Sequence, residues 1–105
     1  ALNDSTEAQA VHRLFSNQIP CSSTKHLTGH TLAAAGITEA GLSILLLQHK
    51  LNLPKQVFTE QNKQDNQLAD IQIITQDTRL TRPAILSNSF AFGGNNASLI
   101  FGVTL

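Results

Sequence analysis

The sequence predicts an α/β fold in which helices lie in layers against a sheet, and three observations predict it. Residues 5–16 carry apolar side chains at helical spacing, residues 29–50 form a helix-length run that is apolar nearly all round, and the C-terminal end reads as two strands joined by a glycine-rich turn.

The first helix starts at a capping-box-like signal, with Asp4 as N-cap and Glu7 three residues on. Ala8, Val11, Leu14 and Phe15 then share one face, which should pack on a sheet. Asn17 and Gln18 turn the chain into a short β-compatible run, residues 19–23, where Pro20 has to stand at a position needing no ladder donor. The second helix, residues 29–50, is rich in leucine, isoleucine and alanine. A membrane span needs about 20 mainly apolar residues, and Thr38, Glu39, Ser43 and Gln48 argue against one. The run is read instead as the buried central helix of the layered fold, with Gly36 and Gly41 allowing close approach to a neighbour. So apolar a helix implies cover from further chain or from a second subunit.

Leu53 and Pro54 end the helical region. Residues 55–70 are a polar connection with Val57 and Phe58 as its anchor, residues 71–75 a strand, and residues 77–83 a polar turn. Residues 84–90 and 97–103 are two strands joined across residues 92–96, where Gly93 and Gly94 permit positive φ. Nothing in the pattern marks a repeat, a low-complexity tract or a domain boundary.

With 105 residues, seven basic and seven acidic side chains and a formal charge of zero, the chain has no electrostatic footprint for nucleic acid or an anionic membrane. A single cysteine forms no internal disulfide, and the chain opens on no basic and apolar targeting signal, so a reducing cytoplasm is the expected setting. Ala1 stands in the middle of a helix-start signal, and the chain is read as a piece of a longer protein.

The chemistry concentrates in Lys25-His26-Leu27-Thr28-Gly29-His30-Thr31, which runs into the apolar helix. An imidazole at a helix N-terminus meets the positive end of the dipole, which favours its neutral form, and a neutral imidazole can donate one hydrogen bond. Each residue has a plainer reading too: His30 as a helix-start histidine satisfied locally, Lys25 and Glu39 as a solvated ion pair, and Phe90 and Phe92 as core aromatics beside a turn, a reading that suits Phe90 best. Cys21 is read as a small buried hydrophobe rather than a nucleophile, because it sits mid-strand with no helix N-terminus behind it. His12 and His26 lack metal-ligand spacing, and His49 suits the C-terminal end of a helix dipole, so no metal or cofactor is expected.

Lys-x-x-x-Gly-His before an alanine-rich helix, together with Ser-Asn-Ser-Phe-x-Phe-Gly-Gly-x-Asn near the end, resembles the C-terminal part of the β-ketoacyl-acyl carrier protein synthases of the thiolase-like fold. The resemblance runs over essentially the whole chain: Asn3, Asp4 and Glu7 look like the acidic helix start after the family's His-Gly-Thr-Gly-Thr motif, and residues 22–25 match the lead into its second histidine motif. It implies the C-terminal part of a layered α/β/α fold with a mixed sheet and a buried central helix, residues 1–105 being a fragment whose nucleophilic cysteine and first histidine lie upstream. The implied activity is an acyltransferase performing decarboxylative Claisen condensation of malonyl-acyl carrier protein with an acyl thioester, in fatty-acid, polyketide or polyene synthesis. The implied partners are acyl carrier protein, the remainder of the synthase, and a second synthase chain in a homodimer or heterodimer.

Carried onto this sequence, the resemblance makes His30 a donor to the developing enolate, Lys25 with Glu39 an electrostatic organiser of the pocket, Phe92 an oxyanion donor and gate, Gly93 and Gly94 its hinge, and Phe90 part of the acyl pocket. Ala91 departs from the family's usual glycine and Asn95 from its usual threonine, which bears on chain-length preference more than on chemistry. The rival reading is a non-catalytic chain-length-factor-like subunit of a synthase heterodimer.

Overall fold

The computed structural model describes residues 2–58, 68–91 and 93–104. These form two compact units, Ala1–Ser23 with Pro54–Asp77, and Thr24–Leu53 with Thr78–Leu105.

The first unit opens with α1, Leu2–Phe15. Asp4 lies inside the first helical turn rather than at the N-cap, where its carboxylate still complements the positive end of the dipole. Ala8 is buried and Val11 and Phe15 half-buried, whereas Leu14, expected on the same face, is 74% exposed. At about 100° per residue Leu14 stands roughly 120° round the helix from Ala8, outside the stripe that Ala8, Val11 and Phe15 share. The helix closes on Ser16 at φ 53°, with the Ser16 N–H donating to the His12 carbonyl at 2.8 Å.

The expected strands at residues 19–23 and 71–75 shorten to β1, Pro20–Cys21, and β2, Gln72–Ile73, paired in parallel. Pro20 offers no N–H to the ladder, which limits how far it can extend. Beyond it, Ile74 N–H donates to the Cys21 carbonyl at 2.9 Å and Gln56 N–H to the Ile74 carbonyl at 2.7 Å. Ile74 is buried there. His12 Nδ1 meets the Asp70 carbonyl at 2.6 Å and Asn17 Nδ2 donates to the Asp70 carboxylate at 3.0 Å, so the end of α1 is tied to the approach to β2. Val57 and Phe58 do not anchor the connection as expected; both are exposed.

The second unit begins with α2, Lys25–Thr28. The helix expected over residues 29–50 is interrupted: Gly29 at φ 77° and Leu32 at φ 52° leave the right-handed region, a 3₁₀ turn spans Leu32–Ala34, and α3 runs Ala35–His49. Lys50 closes α3 at φ 52°, its carbonyl held by Arg79 Nη1 at 2.8 Å. Ala40, Ser43 and Leu47 form the buried stripe of α3, which packs on β3, Ala84–Phe90, and β4, Asn96–Gly102. Thr38 and Ser43 cost the apolar helix little, because each hydroxyl donates back to a carbonyl one turn earlier, Ala34 at 2.9 Å and Glu39 at 2.8 Å. Gly36 lies over β3, where an added Cβ would meet Ser89 Oγ at 3.6 Å; Gly41 has nothing within 4 Å among the described residues and supplies no such approach.

Burial of α3 is one-sided. Ile37 is 75% exposed and Ile44 and Leu45 are also exposed, so the fully buried helix expected from composition is covered along one stripe in this chain. The stretch Leu32–His49 is long and apolar enough to cross a membrane by length and composition, a test that the core helix of a layered fold also passes.

β3 and β4 pair antiparallel from Ala84 opposite Gly102 to Phe90 opposite Asn96. Ser98 Oγ donates to Asn88 Oδ1 at 2.7 Å across directly opposed positions. Pairings of both senses are thus present, parallel in the first unit and antiparallel in the second.

Candidate functional site

Lys25, His30, Glu39, Phe90, Gly93 and Gly94 all belong to the second unit, on two stretches of chain separated in sequence by the first unit's second segment. Phe92 lies outside the described residues. The first stretch is built around Thr24, whose carbonyl accepts the N–H groups of Leu27 at 2.9 Å and Thr28 at 3.1 Å and so winds the single turn that carries Lys25. Gly29 ends that turn, donating to the Lys25 carbonyl at 2.8 Å in a conformation that a side chain would strain.

His30 follows directly. Its Nδ1 accepts the backbone N–H of Leu32 at 3.2 Å. A ring nitrogen that accepts carries no proton, so the uncharged ring holds its hydrogen on Nε2 and is a single-proton donor there. His30 therefore stands outside α3, before the 3₁₀ turn, and satisfies one of the free N–H groups at the helix entry as an acceptor. The local hydrogen bond sets which ring nitrogen carries the hydrogen. The ring is exposed on this chain.

Lys25 is exposed and Glu39 half-buried on the second turn of α3. Glu39 forms no ion pair among the described residues, so the expected pairing with Lys25 is not made in this chain. The break at Gly29 separates the two residues into different helices. Phe90 ends β3 opposite Asn96 and is 43% exposed, which corrects the expectation of a core aromatic: the described residues leave that end of the hairpin partly open. Gly93 and Gly94, at φ 87° and 83°, make the bend between the strands, and Ala91 N–H donates to the Asn95 carbonyl at 2.8 Å across it. The two departures from the family pattern are thus the two residues that close this bend.

Cys21 sits in the other unit, half-buried, with Sγ donating to the Ile19 carbonyl at 3.3 Å. Burial, and secondarily the Glu7 carboxylate, push its thiol up and disfavour the thiolate, which suits the structural reading. Among the described residues no three His, Cys, Asp or Glu side chains come together in a way that could hold a metal ion.

Sequence reasoning missed two features of this site. One is the Leu32 N–H that sets the tautomer of His30, whose signal was the Gly-His-Thr triplet at a helix entry. The other is Thr24, whose side-chain oxygen is buried without a hydrogen-bond partner among the described residues.

The family model for the beta-ketoacyl synthase C-terminal domain matches residues 1–59. This chain belongs to the β-ketoacyl synthase family. It is 39% identical over 100 residues to 3-oxoacyl-[acyl-carrier-protein] synthase 1 of Escherichia coli K12, an alignment covering 94% of this chain and 24% of that protein. It is also 39% identical over 112 residues to the mitochondrial 3-oxoacyl-[acyl-carrier-protein] synthase of Arabidopsis thaliana, covering 95% of this chain and 22% of that protein. Among solved structures, a chain from the complex of the ketosynthase ApeO with its chain length factor ApeC, from Xenorhabdus doucetiae, superposes with a TM-score of 0.93 at 52% identity, covering 98% of this chain and 26% of that one. This β-ketoacyl synthase chain thus spans about a quarter of the length of the relatives it matches. The thiolase-like α/β assignment holds with it.

Proposed function

We propose that the chain is the C-terminal portion of a β-ketoacyl-acyl carrier protein synthase that condenses an enzyme-bound acyl group with malonyl-acyl carrier protein. The acyl group passes from its carrier to a cysteine on the part of the protein preceding this chain. The malonyl thioester then loses carbon dioxide, the electron pair of the broken C–C bond moving into the enolate, and the enolate carbon attacks the acyl thioester and expels the cysteine thiolate.

The observation that carries this reading is the His30–Leu32 hydrogen bond. It leaves Nε2–H as the donor the enolate oxygen needs, and a donor oriented by the backbone itself is how preorganised sites stabilise developing charge. Lys25 and Glu39 act on the same site electrostatically, with Glu39 free of any ion pair among the described residues until the rest of the protein closes over it. The Phe92 N–H is assigned to the acyl-enzyme oxyanion, its ring to the gate, Gly93 and Gly94 to the hinge, and Phe90 to the acyl pocket. Exposure of His30 and Phe90 on this chain agrees with a pocket whose remaining walls come from preceding residues. The deciding experiment replaces His30 by alanine in the whole protein: malonyl decarboxylation falls by about 10²–10³ and some acyl transfer is retained, whereas unchanged decarboxylation removes His30 from the mechanism.

The solved complex in which a ketosynthase sits with a chain length factor supports a second arrangement, a heterodimer with a related synthase. Retained Lys25, His30 and Glu39 favour the catalytic member of such a pair over the non-catalytic one. Whether a cysteine occupies the nucleophile position in the preceding sequence separates the two.

A further inference from the structure

Thr24 opens the segment that carries Lys25 and His30, and it caps α2 in an unusual way. An N-cap threonine ordinarily adopts β-region torsions, from which its hydroxyl accepts an N–H of the first turn. Thr24 has φ −98° and ψ 1° and makes no side-chain capping bond; its carbonyl does the work of starting the turn. The freed Oγ1 is buried and has no hydrogen-bond partner among the described residues. The contrast within the same turn is informative, since Thr28 Oγ1 bonds locally to the Thr24 and Gly29 carbonyls at 3.3 and 3.1 Å. A buried hydroxyl left alone is costly and native structures keep few of them. Three quarters of the length of the E. coli relative lies outside the matched region, which leaves ample chain to supply the partner.

We infer that Thr24 is a positioning residue: in the whole synthase its hydroxyl donates a hydrogen bond to an oxygen of the preceding part of the protein and thereby fixes the turn that presents Lys25 and leads into His30. A threonine hydroxyl has one proton to give, so the partner is an acceptor, a backbone carbonyl or a carboxylate. The inference rests on the reading of this chain as the C-terminal portion of a condensing enzyme. The bond anchors the start of the segment, while the His30–Leu32 bond anchors its end, and Lys25 lies between the two fixed points.

The test uses the whole synthase with T24V, which keeps the shape and removes the hydroxyl, T24S, which restores it, and H30A as reference. T24V lowers kcat for malonyl decarboxylation about tenfold, the equivalent of roughly 1.4 kcal/mol of barrier, with little change in KM, and T24S returns the rate to near wild type. A crystal structure of the whole protein places Thr24 Oγ1 within about 3.2 Å of an oxygen from the preceding chain. A T24V rate equal to wild type overturns the positioning role, as does a fall in thermal stability without a fall in rate. Oγ1 still alone, or bonded only within the present chain, overturns the assigned partner, and this holds even should T24V fail to fold. Loss of decarboxylation in H30A beside an unaffected T24V defeats this inference alone; an unaffected H30A defeats the proposed function as well.

Discussion

The imidazole of His30 accepts the backbone N–H of Leu32 at 3.2 Å through Nδ1, and this one bond decides which face of the ring can act as an acid or donor. Nitrogen-detected NMR of the whole protein is expected to show His30 as the Nε2-protonated tautomer. His30→Ala in the same protein lowers decarboxylation by about 10²–10³, the cost of one oxyanion-type donor, which release of labelled carbon dioxide measures directly. A spectrum showing Nδ1 protonated would falsify the assignment of the donor.

The bend between β3 and β4 carries two consecutive glycines at φ 87° and 83° with open space around both. Alanine fits the space and not the torsion, so Gly93→Ala and Gly94→Ala each cost about 1–2 kcal/mol of left-handed strain. Both variants are expected to unfold a few degrees earlier and to slow acyl transfer in the whole synthase. Equal melting temperatures and transfer rates would remove the strain argument.

Ser98 and Asn88 face each other across the hairpin, joined at 2.7 Å. The pair is exposed, so the bond contributes at the lower end of the usual range, about 0.5 kcal/mol. A double-mutant cycle with Ser98→Ala and Asn88→Ala, read by denaturant unfolding, should give a positive coupling of that size. Strict additivity would mean that water replaces the bond without loss.

Cys21 carries a thiol raised from its ordinary value of 9.0 by burial and by Glu7. Below pH 9 the half-buried group stays neutral, so its alkylation by iodoacetamide is slow at neutral pH and lags a free thiol. Glu7→Gln removes the carboxylate and lowers the thiol toward its ordinary value, which speeds alkylation modestly. Above the ordinary thiol value the unfolded chain ionises first, so the contribution of Cys21 to stability is intact below pH 9 and declines as pH rises beyond it. Fast neutral-pH alkylation would reopen the question of a reactive cysteine.

The 105-residue chain by itself should form no carbon–carbon bond from acyl and malonyl thioesters, because the nucleophile is assigned to preceding sequence. Product detected by mass spectrometry from the isolated chain would show that the site is complete without it.

What sequence determined by itself was local. The hairpin strands were legible within one residue because alternating apolar positions flank a pair of glycines, and the antiparallel pairing with its bend follows from torsions that only those two residues take easily. The helical character of α1 and α3 and the order of the Lys25, His30 and Gly93 motifs were equally legible, since each depends on neighbours in the chain. Tertiary structure decided the rest. Leu32 at φ 52° breaks what composition reads as one long helix, and nothing in a leucine announces a left-handed torsion; the turn is held by the His30 acceptor and by Gly29 before it. Leu14 is apolar and near the core stripe, yet stays exposed because angle round the helix, not hydrophobicity, decides what is covered. The absence of an ion pair at Glu39 and of a partner for the Thr24 hydroxyl among the described residues likewise depends on where packed elements come to rest, a three-dimensional property that side-chain identity and spacing do not encode.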